Sequence, residues 1–247
     1  MPTLMKIRYP ISRRLFLILT GGAALAPQAA WAAGDVPPLL DHILLGCRDL
    51  DSGIDFVAQN TGVRAAFGGV HPGRGTRNAL LSLGERRYLE VIAPDPKQDR
   101  VDPFAQEQVE RLKRLASPHL IGWAAHPGDL EKFAVRLREG NVAFDGPRPG
   151  SRQRPDGKLL RWKTLNLKDD KGGLLPFFIE WGADSLHPSA DAPKGCTLTH
   201  FGAATPKPDQ LNKISNLLQL DMPVLPDDKT ELQAVIIGPK GKLAVSS

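Results

Sequence analysis

Three residues of this chain pair a chemically useful side chain with an unexpected place. His42 interrupts the apolar run 39–46 (LLDHILLG), Glu90 the run 88–94 (YLEVIAP) and Glu180 the run 175–182 (LPFFIEWG). The Leu, Val, Ile and Phe around them favour largely buried strands. A carboxylate ionised in such surroundings costs several kcal/mol unless a cation or a proton compensates it. One imidazole and two isolated carboxylates form a hard, incomplete ligand set. The sequence therefore predicts a divalent ion (manganese, iron, zinc or nickel) held by His42, Glu90 and Glu180, with positions left for water or substrate. Such an ion would polarise a carbonyl or enediolate oxygen, and a carboxylate leaving it could remove a neighbouring proton. The blander alternatives are a core histidine bonded to backbone and two ion pairs, with Arg86, Arg87 or Arg161 as partners.

The elements that must position these residues repeat along the chain. Residues 39–47 read as a strand, Asp49-Leu50-Asp51-Ser52 as a helix start, and Asn60-Thr61-Gly62 as its stop. A Gly-rich loop at 67–75 (FGGVHPGRG) then leads to two strands, at 78–83 and through Glu90, giving the order β-α-β-β-β. Asp102-Pro103 opens an amphipathic helix with Phe104, Val109, Leu112 and Leu115 at helical spacing. Beyond Pro118 the first pattern returns, with a strand at 120–125, a cap at Asp129-Leu130, and strands at 159–167 and 175–181. A shorter copy follows from residue 197, with His200 in its first strand. The expected organisation is α+β: a βαβββ module at 39–95, a linker helix within 96–118, a second module at 119–183, and a partial βαββ module at 196–247.

Three other groups carry a possible role. Arg74, Arg77 and Asn78, in or beside the Gly-rich loop, could present themselves to an anionic or carbonyl-bearing ligand; a solvated surface loop is the plainer reading. Trp123, Trp162 and Trp181 fit core or cavity-lining positions. Cys47 and Cys196 would face each other if the first strands of modules one and three paired antiparallel with His42 opposite His200, which would permit a disulfide; otherwise they are two buried apolar thiols. The chain has no GxSxG, Walker loop, HExxH or dinucleotide fingerprint, so the common nucleophilic and nucleotide-dependent classes lack support.

Residues 1–32 read as an export signal: Lys6, Arg8, Arg13 and Arg14, an apolar core at 15–26, and Ala30-Trp31-Ala32 as a cleavage site. The stretch SRRLFL is of the twin-arginine type, so a periplasmic or secreted location is expected. Removing it leaves 28 basic against 27 acidic residues, because the signal holds four of the 32 Lys and Arg and no Asp or Glu. The electrostatic case for nucleic acid therefore falls away, and no run is long enough for a stable membrane anchor. The expected partner is a small molecule, with a homodimer open.

The two modules, with a His in the first strand of one and a Glu near the end of the last strand of each, resemble the vicinal oxygen chelate superfamily. GTRNALL, YLEVIAP and PFFIEW are similar to its glyoxalase-like branch, and the resemblance covers residues 39–181. It implies a cupped, incomplete barrel with a divalent metal inside, ligated from the first and last strands of each module. His42 and Glu90 would be the first pair and Glu180 the second carboxylate. The fourth position falls on Gly122, followed by Trp123, and neither can bind a metal. Glu180, in the module whose pair is broken, is then the expected catalytic base. The implied function is a metal-dependent lyase, isomerase or dioxygenase acting on a small oxygen-rich substrate. The alternative is a protein that binds or sequesters a small molecule in the same cup without chemistry.

Overall fold

The computed structural model describes residues 36–154 and 156–247; the export signal read at 1–32 lies outside the described residues. β1 (Leu40–Gly46) is buried along its whole length. Its two neighbours are β4 (Tyr88–Pro94), which runs parallel to it, and β5 (His119–Ala125), which runs antiparallel. Covered on both faces, such a strand needs no polar alternation, which is why LLDHILLG reads as nearly continuous hydrophobe.

The first module adds α1 (Leu50–Thr61), β2 (Ala66–His71) and β3 (Thr76–Ser82). After α2 (Pro103–Lys113), the second module adds α3 (Leu130–Glu139), β6 (Phe144–Gln153), β7 (Leu159–Leu167) and β8 (Phe177–Trp181) to β5. Together they make one sheet in the order β2-β3-β4-β1-β5-β8-β7-β6, joined between modules at β1 and β5. Asp49 caps α1 by accepting from Ser52 N at 2.9 Å, and Asp129 caps α3 by accepting from Glu131 N and Lys132 N at 3.0 Å each. The two Asp-Leu starts thus satisfy equivalent orphan amides. The sheet curls so far that its edge strands meet, and Arg152 on β6 donates to the Gly68 carbonyl on β2.

Strand parity then sorts the side chains. Ile43, Leu45, Leu89 and Val91 are fully buried in the core that α1 covers, while His42, Leu44, Tyr88, Glu90 and Ile92 line the concave side. Trp123 is a core residue, 1 % exposed, donating its Nε1–H to the Leu174 carbonyl at 2.9 Å.

The tail forms a second sheet from β9 (Thr197–Thr205), β10 (Val224–Pro226), β11 (Glu231–Ile237) and β12 (Lys242–Ser246), with α4 (Pro208–Leu217) after β9. It contains one strand more than the expected βαββ, and its order, β10-β9-β11-β12, differs from that of the first module. The short VLP of β10 carries too little pattern to read as a strand. β9 pairs with β10 and β11 rather than with β1, so the pairing that would have aligned the cysteines does not form. Cys47 and Cys196 are both free and buried, and burial first, with the charge of Asp49 second, pushes the Cys47 thiol up to about 12.

Candidate active site

The concave side of the sheet encloses a cavity of about 530 Å³. On its wall, parallel register places Leu44 beside Glu90 and His42 beside Tyr88, so His42 and Glu90 project from neighbouring strands into the same space. His42 Nε2 lies 3.5 Å from Glu90 Oε2. A third residue completes the group: His71, at the end of β2, has its Nε2 3.6 Å from Glu90 Oε1. Glu90 is 7 % exposed, and among the described residues no Lys or Arg lies within ion-pair reach of it.

Each member is held. Asn78 donates its Nδ2–H to Glu90 Oε1 at 2.7 Å, with the same nitrogen 3.3 Å from His71 Nε2. His71 Nδ1 meets the Thr76 hydroxyl at 2.8 Å. An amide that donates toward Nε2 leaves His71 with its proton on Nδ1, the neutral tautomer. Burial pulls the His71 pKa down and favours that same neutral form, against the charge of Glu90. Because Asn78 engages Oε1, Oε2 is the carboxylate oxygen left facing His42 and the cavity.

Behind His42 lies Asp41, fully buried. Its carboxylate accepts from His42 Nδ1 at 2.7 Å, Trp181 Nε1 at 3.0 Å and His187 Nε2 at 3.2 Å. Burial opposes its ionised form, yet the hydrogen bonds from His187 and His42 and the charge of those rings hold its carboxyl well below the usual carboxylate range. The Asp41 bond fixes His42 Nδ1 as the donor and turns Nε2 toward Glu90. Tyr88 stacks on the His42 ring with centroids 4.4 Å apart. The imidazole therefore has little freedom to turn.

Of the residues singled out in the sequence, the structure brings together His42, Glu90 and Asn78 around one point, with Arg74 on the cavity rim stacked over Phe104 at 5.2 Å. Two lie elsewhere. Arg77 projects from the opposite face of β3 toward Asp49, 3.9 Å away, as alternation with Thr76 and Asn78 requires. Glu180 faces away from the cavity: its Oε2 accepts from Leu130 N at 2.7 Å, at the start of α3. Phe177, Ile179 and Trp181 are the β8 residues that line the cup. Neither the ligand role nor the base role expected of Glu180 is compatible with this placement. A one-residue offset in strand parity moves a side chain to the other face, and FFIEW is apolar on both faces, so the pattern could not reveal it.

The divalent ion expected from the sequence can be tested on the donors present. His42, Glu90 and Glu180 do not converge, and the cup-facing residues of β8 offer no donor. Asn78 places an N–H, a proton donor rather than a ligand, between Glu90 and His71. Among the described residues no three His, Cys, Asp or Glu side chains are grouped to hold a metal. The expected set of His42, Glu90 and Glu180 does not fit the ion. What the geometry offers is a carboxylate with one free oxygen, an oriented imidazole beside it and a second, neutral imidazole across it.

Sequence reasoning passed over Asp41, His71, Tyr88, Arg152 and His187. Asp41 was legible as a second polar residue in LLDHILLG, and His71 as a histidine two residues from the start of GRGTRN.

The sequence profile described as a glyoxalase-like domain matches residues 40–218. No curated protein matches the chain. Among solved structures, a hypothetical protein from Staphylococcus aureus is similar with a TM-score of 0.56 and 16% identity, over 84% of each chain. A methylmalonyl-CoA epimerase from Mycobacterium tuberculosis aligns with a TM-score of 0.42 and 21% identity, over 62% of this chain and 92% of that one. At 16% identity, the first of these speaks to the fold alone. No helix among the described residues is long and apolar enough to cross a membrane.

Proposed function

The chain belongs to the glyoxalase-like domain family of the vicinal oxygen chelate superfamily, and from that premise we propose that it is an exported enzyme of the lyase or isomerase class that moves a proton next to the carbonyl of a small oxygen-rich substrate, with Glu90 as the base. The observation that carries this reading is the state of Glu90: a carboxylate 7 % exposed, without a cationic partner within ion-pair reach among the described residues, flanked by two imidazoles and open on one oxygen. Such a group costs free energy in a core and is retained where chemistry uses it.

In this mechanism Glu90 Oε2 takes a proton from the carbon adjacent to the carbonyl, and the C–H electron pair moves onto the carbonyl oxygen. Asn78 holds Oε1 and so fixes the direction of attack. His42, oriented by Asp41, lies where it can exchange a proton with Oε2, which lets the proton return to a different atom of the substrate. Glu180 takes no part, and no step passes through a metal.

The test is hydrogen–deuterium exchange, followed by NMR, at the carbon beside the carbonyl of small oxo compounds incubated with the mature protein. General-base catalysis contributes about 10²–10⁴-fold, so Glu90→Gln should lower the exchange rate by at least about 10²-fold while leaving ligand binding in place. An equal rate in wild type and Glu90→Gln sinks the proposal. Binding without exchange would favour the second reading, a sequestering cup, which the apolar Phe177, Ile179 and Trp181 at the module-two positions support.

A further inference from the structure

Arg152 is a strongly basic, buried group lining the cup that the proposed chemistry leaves unused. It stands on β6 with Gly150, on the face of the strand that shares the cavity with Trp162, and it is 5 % exposed. A guanidinium carries five N–H donors. One nitrogen, Nη1, donates to the Gly68 carbonyl across the seam with β2, and the side chain lines the cavity. Among the described residues no carboxylate lies within ion-pair reach of it. The negative charge felt most strongly there is that of Glu90, and burial is the larger influence, pulling the Arg152 pKa down. Its neighbour Arg154 differs, since it pairs with Asp191 and Asp156 outside the cup. A buried cation without a carboxylate partner is costly, as a buried lone carboxylate is, and it is relieved by an anion that enters with a ligand.

The cup therefore holds one open carboxylate oxygen on β4 and, among the described residues, one guanidinium on β6 without a carboxylate partner, with Arg74 on the rim. We propose that Arg152 binds the carboxylate of the substrate, and that the substrate class is a small oxo- or hydroxy-carboxylate whose carbon beside the carbonyl then faces Glu90. A guanidinium fork suits the two coplanar oxygens of a carboxylate better than it suits a neutral carbonyl. The anchor and the base sit on different modules, so one substrate would span the cup. This rests on the proton-transfer reading of the site for its second half, and the anchoring itself stands without it.

The experiment titrates the mature protein with pyruvate, lactate and malonate, and with the uncharged methyl ester of pyruvate, by calorimetry and thermal shift. Wild type, Arg152→Gln and Arg152→Lys are compared, with Arg77→Gln as a control whose side chain lies outside the cup. The expected result is saturable binding of at least one carboxylate, at least tenfold weaker binding of the ester, a tenfold or greater loss in Arg152→Gln, and no change in Arg77→Gln. If loss of the Gly68 bond unfolds Arg152→Gln, Arg152→Lys keeps a cation and should still weaken carboxylate binding severalfold. Absence of saturable binding of any of the three acids, equal binding of acid and ester, or unchanged affinity in the variant that folds overturns the proposal. Carboxylate binding without deuterium exchange would leave the anchor standing and remove Glu90 as a base. Exchange that proceeds at the wild-type rate in the folded Arg152 variant would do the reverse.

Discussion

Replacing Asp41 by alanine should both destabilise the protein and loosen the proposed proton-transfer pair, His42 and Glu90. Asp41 is fully buried and accepts three hydrogen bonds, at 2.7, 3.0 and 3.2 Å, from His42, Trp181 and His187. Each bond to a charged acceptor is worth about 1.5–3 kcal/mol, but the three are not additive, and removing the carboxylate also relieves its own desolvation. Breaking one side of a buried charged network typically costs about 3–5 kcal/mol, because three N–H donors remain in a dry space without partners. At roughly 2–4 °C per kcal/mol for a chain of this size, the midpoint should fall by roughly 6–20 °C. Thermal and urea unfolding of the mature protein, followed by circular dichroism, would measure it. The sign with pH is fixed by the depressed carboxyl of Asp41. Its contribution is full above the unfolded value of about 3.9 and is lost as pH falls from there toward the lower folded value, so the gap between wild type and variant should narrow only below about pH 4. A loss under about 1 kcal/mol at neutral pH, or a gap that closes between pH 5 and pH 7, would refute this account of the cluster.

Glu180→Gln should leave deuterium exchange within about twofold of wild type and cost about 1 kcal/mol or less, because it weakens one hydrogen bond at the start of α3; a hundredfold loss of exchange would restore Glu180 to the mechanism. Export by the twin-arginine route predicts that replacing Arg13 and Arg14 by lysine traps precursor in the cytoplasm. N-terminal sequencing of the secreted wild type should begin near Ala33, and unchanged export of the double variant would contradict the route.

The parts of the site that could be read from sequence were those on strongly patterned strands. His42 and Glu90 interrupt runs whose flanks are unmistakably strand, and the caps Asp49 and Asp129 repeat at matching places in their modules, so the two βαβββ units stood out. Glu180 could be assigned to a strand but not to a face, because β8 packs Phe178 against Phe133 of α3 on one side and Ile179 against the cup on the other. Arg77 failed for the opposite reason: alternation with Thr76 and Asn78 was there to be read, and treating the stretch as a loop hid it. Arg152 lies in FDGPRPGSRQ, whose two prolines and two glycines suggest turns, whereas β6 runs through all ten residues as an edge strand. Edge strands tolerate proline where their free N–H side needs no partner. His71 has a local signal only in its nearness to GRGTRN, and His187 has none, because it joins the site through a contact with Asp41 that is distant in sequence.

The placement of the site within the sheet bears on how such a protein can change its substrate. His42 and Glu90 sit on β1 and β4, interior strands paired on both sides, whereas Arg74 belongs to the turn after β2 and Arg152 to the outermost strand, β6. Interior strands admit few substitutions, because each side chain is packed on two faces; margins and turns admit many. Mutational drift would therefore fall mainly on the groups proposed to hold the ligand and spare the pair proposed to move the proton. On the proposed mechanism, a lineage built on this scaffold could exchange one acid for another while inheriting its proton chemistry unaltered.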